Sequence, residues 1–118
     1  MKKVKVIKVD GYGIKFDNDC YLTSEHQQDC CESHELTFSD LTLADFEGLE
    51  FNLTNGNFFK RIPDYGIELV PIKGHTVKIP GHGYNNGYYG TNIEMIIWRP
   101  DNTVYKSYDV TECQQIDD

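Results

Sequence analysis

The stretch Val4-Lys5-Val6-Ile7-Lys8-Val9-Asp10-Gly11-Tyr12-Gly13-Ile14-Lys15-Phe16 decides the fold class of this chain. Val4 and Val6 alternate with lysine, the period of a half-buried strand. Ile7-Lys8-Val9 then shifts the phase by one residue, and such a shift predicts a β-bulge. Asp10-Gly11 is a tight-turn dipeptide. Tyr12, Ile14 and Phe16 alternate again on the returning strand, and Cys20 to Thr23 can extend the sheet.

Working outward, Ser24 to Glu35 is polar. Ser24 followed by Gln27 fits a capping box and predicts a short helix. A second short helix is expected over Leu41 to Phe46, capped by Ser39, with Asp40 in its first turn and Gly48 ending it. The rest reads as strands. Leu49–Leu53 and Phe58–Ile62 flank the turn signal Asn55-Gly56. Ile67–Ile72 and Thr76–Ile79 flank Lys73-Gly74-His75, with Pro71 pushing its strand to an edge or a bulge. Asn92–Trp98 is the most apolar run and is expected to be central. Pro100-Asp101-Asn102 turns into a last strand, Thr103–Val110. Short strands at this spacing predict a mainly β (α+β) fold, an antiparallel sheet rolled into a small barrel or sandwich with one or two short helices. The 118 residues fit one globular domain over 1–113, followed by a frayed acidic tail over 114–118.

Composition narrows the function. Aromatics make up 13% of the chain, which favours strands. A net charge of −8 argues against a nucleic-acid duplex as partner, since that needs a lysine and arginine footprint. It leaves two partner classes, a small molecule held by local groups or a basic host protein. Val4–Val9 is broken by Lys5 and Lys8, so it lacks the apolar core of a secretory signal, and no run approaches the roughly 20 apolar residues of a membrane span. The expectation is a cytoplasmic protein whose four cysteines are thiols or metal ligands.

Three segments could carry chemistry. In a helical 25–34, His26, Cys30 and His34 recur every four residues along one stripe, with Cys31 beside them, and imidazole and thiolate suit Zn²⁺. Cys30 or Cys31 with His34 could equally serve a thiol-dependent enzyme. The plainer reading is that the two cysteines pack a polar helix against the sheet. The spacing matches no standard zinc pattern. The second segment is Pro80-Gly81-His82-Gly83-Tyr84-Asn85-Asn86-Gly87-Tyr88-Tyr89-Gly90. Its glycines permit close backbone approach to a ligand. His82, Tyr84, Asn85, Asn86, Tyr88 and Tyr89 offer rings, hydroxyls and amides for a planar polar ligand. The plainer reading is a hairpin tip with Asn86-Gly87 as its turn. The third is Phe58-Phe59-Lys60-Arg61, where Arg61 could meet a phosphate and one phenylalanine could face solvent.

The runs Glu25-His26-Gln27-Gln28-Asp29-Cys30-Cys31-Glu32, Asp45-Phe46-Glu47-Gly48-Leu49, Asp64-Tyr65-Gly66-Ile67-Glu68-Leu69, Tyr84-Asn85-Asn86-Gly87-Tyr88-Tyr89 and Asp109-Val110-Thr111-Glu112-Cys113-Gln114 together span nearly the whole chain. On them the sequence resembles a family of small proteins of bacteria and their phages. The resemblance brings no mechanism or catalytic residue with it. It implies a phage or prophage accessory protein in the bacterial host cytoplasm. The expectation is a non-enzymatic binding module, a homo-oligomer and counter-defence protein that sequesters a nucleotide-type small molecule and needs no cofactor. The alternatives are an acidic inhibitor of a basic host protein and a zinc-binding or cysteine-dependent enzyme.

Overall fold

The computed structural model describes residues 3–25, 33–84 and 92–117. Strands β1 (Val6–Asp10) and β2 (Gly13–Phe16) form the expected hairpin. The Asp10 carboxylate accepts the Tyr12 and Gly13 N–H groups and closes its turn. Gly13 is required there, because a Cβ would stand 2.1 Å from the Leu22 carbonyl oxygen of the next strand. The register breaks between Val6 and Lys8, which places the bulge at Ile7 as the phase shift predicts.

Strand β3 (Tyr21–Glu25) follows, and two strands from far along the chain, β8 (Glu94–Trp98) and β9 (Val104–Asp109), complete the first sheet in the order β1-β2-β3-β8-β9. Its pairings are all antiparallel. The run containing β8 lies between two neighbours, as its apolar character predicts. Ile14, Phe16, Leu22, Met95 and Ile97 are almost fully buried on one face, so Lys15, Tyr21, Glu25, Glu94 and Trp98 lie on the other by strand alternation.

The second sheet is built around β7 (Val77–Tyr84). Its first half pairs with β6 (Gly66–Leu69), which pairs with β5 (Phe59–Ile62). Its second half pairs antiparallel with β4 (Ser33–Leu36) and parallel with β10 (Gln115–Asp117). One continuous buried cluster joins residues of both sheets with Phe38, Phe46, Phe51 and Phe58 from the connections. The chain is thus mainly β in two sheets, with no closed barrel among the described strands.

Several expectations need correction. The helix expected over 24–35 has strand at both ends: Ser24 and Glu25 belong to β3, and 33–35 to β4. Ser24 caps no helix; its hydroxyl oxygen accepts the Leu36 N–H and ties β4 to β3. The residues between, 26–32, lie outside the described part. The second helix is a single 3₁₀ turn, Leu43–Phe46, capped by Thr42 with Asp45 and not by Ser39. Gly48 does follow its end with φ of 78°. Leu49–Leu53 forms only isolated bridges, through Glu50 and Phe51, while Gly56–Phe58 is a 3₁₀ turn capped by Asn55. Neither Phe58 nor Phe59 faces solvent; both pack edge-on or tilted against Tyr108 and each other. The tail is not frayed over its described residues, 114–117. Gln114 is buried, and Gln115–Asp117 is a strand of the second sheet.

Candidate ligand-binding cleft

The register of the first sheet places Lys8, Lys15, Tyr21 and Trp98 opposite one another in a single row across β1, β2, β3 and β8. The row floors an open cleft of about 560 Å³, walled by Asp19, Arg99, Pro100 and Asn102. Three of these residues are cationic and one is acidic, on a chain of net charge −8. The one ion pair among them is Lys15 with Asp19 at 3.6 Å, largely exposed and therefore weak.

Both aromatic side chains are held by hydrogen bonds to neighbours on the same face of the sheet. The Trp98 indole N–H donates to the Thr23 hydroxyl at 2.9 Å. The Tyr21 hydroxyl donates to the Asp10 carboxylate, which the hairpin turn already holds. Burial, reinforced by the Asp10 carboxylate, pushes the Tyr21 phenol well above its ordinary range. Partial burial alone would raise Asp10. Hydrogen bonds from Tyr21, Tyr12 and Gly13, with Lys8 nearby, outweigh it and hold the carboxyl below its usual value. The outcome is a pair of oriented rings beside two lysines, a preorganised surface that loses little entropy on binding. Arg99 is occupied, donating to Thr103 and the Val104 carbonyl and lying over the Tyr105 ring.

The two segments singled out in the sequence meet elsewhere. β4 and β7 are neighbours, so Ser33 pairs with Tyr84, His34 with Gly83 and Glu35 with His82. His34 is buried, not on a helical stripe. Gln114 spends its amide N–H on the Thr111 carbonyl, so its Oε1 faces the imidazole and His34 Nδ1 donates to it at 2.6 Å. That nitrogen is thereby committed to Gln114. His82 is exposed on β7. Arg61 sits on β5 at the far edge of the second sheet, stacked over Phe59 and donating to the Asp109 carbonyl. His26, Cys30, Cys31, Asn85, Asn86, Tyr88 and Tyr89 lie outside the described residues. Among those described, no group of three or more His, Cys, Asp or Glu is placed to hold a metal ion. No described helix is long and apolar enough to cross a membrane.

Comparison with protein families, curated proteins and solved structures found no match to this chain.

Sequence reasoning missed the cleft. Trp98, the chain's single tryptophan, followed by Arg99-Pro100, was the available signal. Its partner Tyr21 is more than seventy residues away, and only the β3–β8 pairing joins them.

Proposed function

We propose that the protein is a non-enzymatic binding module for a nucleotide-type small molecule, and that the ligand lies across the first sheet in this cleft. The observation that carries the reading is the register row Lys8-Lys15-Tyr21-Trp98. A planar base would stack on the fixed aromatic rings, a contact worth about 1–3 kcal/mol. The two lysines, one and two strands from Tyr21, would take its phosphate; neighbouring strands are about 4.8 Å apart, a span that fits a mononucleotide. Like charges placed directly opposite weaken a sheet, and a bound phosphate would offset that cost at Lys8 and Lys15. The ligand then lies on the face of the first sheet and not at the glycine- and tyrosine-rich segment 80–90.

The test uses the single tryptophan. Titrating adenosine, guanosine, cytidine and uridine mono- and triphosphates should quench Trp98 fluorescence saturably, with binding weakened by salt. Lys15→Ala should weaken it several-fold, and Trp98→Ala, followed by calorimetry, about 5- to 150-fold if the stack is lost. Absence of quenching and of heat across the panel at millimolar ligand would refute the reading.

A further inference from the structure

The outer face of the second sheet carries Lys60, Glu68 and Lys78 in register, so each charge faces its opposite. The first sheet does the reverse. Lys8 faces Lys15 at one corner, while Glu25, Glu94 and Asp109 are successive partners across β3, β8 and β9 at the other. Glu25, Glu94 and Asp109 are all exposed. Tyr21 and Glu25, like Trp98 and Glu94, are four residues apart and so share one face. Between the corners lie Thr23 and Ile96, each only 8% exposed, beside the two rings. Like charges in direct opposition destabilise a sheet, and this face carries two such rows of opposite sign, the lysine row offset only in part by the exposed Lys15–Asp19 pair and by Asp10 near Lys8.

We propose that this face binds a second copy of the chain. A two-fold contact must be self-complementary, and here the cationic corner of one copy meets the acidic corner of the other, twice. The geometry is consistent. The acidic row is centred about two and a half strands from the lysine pair, roughly 12 Å, and four residues along, roughly 13 Å. A two-fold axis that exchanges the corners lies diagonally between them, so the strands of the two copies cross near a right angle, one of the two preferred sheet-on-sheet arrangements. Tyr21 and Trp98, both partly exposed, then pack near the axis. Repulsion between two chains of net charge −8 is screened beyond about 8 Å at physiological salt, whereas the facing rows are in contact.

This inference does not rest on the ligand reading, since the contact needs no nucleotide. The two are linked, because the second copy lays carboxylates where a phosphate would sit. The experiment is sedimentation equilibrium of the full chain, without nucleotide, from micromolar to millimolar concentration. Wild type should dimerise reversibly. Lys15→Glu and Glu94→Lys, both at exposed or half-exposed positions, should each weaken dimerisation at least tenfold. The combined variant should return to within a few-fold of wild type, because the charges are exchanged and not lost. Circular dichroism confirms that each variant is folded. A monomer throughout, a dimer indifferent to both substitutions, or a combined variant as weak as the singles would overturn the proposal.

Discussion

Replacing Tyr21 by Phe removes one oxygen atom and leaves the ring. The lost hydroxyl is the donor that links the cleft to the β1–β2 turn through Asp10. A hydrogen bond to a charged group contributes about 1.5–3 kcal/mol when shielded. Asp10 is only partly buried, so the contribution is discounted to about 1 kcal/mol. In a domain of this size that corresponds to a fall of about 3–6 °C in Tm. The pH dependence makes the test specific. Asp10 has a lowered folded-state pKa, so its contribution is present above its ordinary value of 3.8 and is lost as pH falls through the lower folded value. Tyr21 has a raised pKa. The unfolded chain ionises this phenol near 10.0 while the folded chain keeps it protonated, so the contribution is present below pH 10 and lost above it. Urea unfolding of wild type and Tyr21→Phe across pH should therefore show the widest gap near neutrality, narrowing toward both extremes. A gap that stays level from neutrality to about pH 3, or widens on acidification, would refute the coupling of Asp10 to Tyr21.

Two further outcomes concern the core and the second sheet. Gly83→Ala would drive a Cβ to 2.1 Å from Gln114 Oε1 and 2.4 Å from His34 Nδ1. It should cost about 2–3 kcal/mol in urea unfolding, and a loss under about 0.5 kcal/mol would contradict the packing of His34 and Gln114 against β7. Burial pushes the Cys20 and Cys113 thiols up, so in folded protein at pH 8 iodoacetamide should leave both unlabelled until urea is added. Peptide mass spectrometry reads each site, and labelling of either one in native protein would contradict its burial.

What the sequence made legible was local. The bulge at Ile7 followed from a change of phase within three residues, and the Asp10-Gly11 turn from its dipeptide. The apolar run ending at Trp98 is a strand flanked on both sides. Two of the failures share a cause. Ser24 carries the chemistry of a helix cap, but its hydroxyl oxygen accepts a backbone N–H twelve residues on. Gln115–Asp117 looks like a tail because it is short and polar, yet a parallel pairing with β7 makes it a strand. Leu49–Leu53 has strand composition without a continuous neighbour. In the first two cases a partner distant in sequence overrode the local preference, and in the third the described residues supply only isolated bridges.

The candidate site was hidden in the sequence for the same physical cause. Lys8, Lys15, Tyr21 and Trp98 are unremarkable one by one, and lysines on a polar face are ordinarily solvated. Their meaning comes from register. A one-residue slip of β2 against β3 would take Lys15 out of line with Tyr21 and send Ile14 to solvent. Ile14 and Leu22 are cross-strand partners, both fully buried, so the core forbids that slip. The inner face therefore dictates the outer one: the apolar residues that fix the pairing also fix which charges stand opposite each other. In the second sheet this constraint brought opposite charges together, whereas in the first it aligned like charges at two corners of one face. A fold that bears such a cost is reconciled with marginal stability when something of opposite sign covers the face. A phosphate at the lysines answers for one corner, and a second copy answers for both.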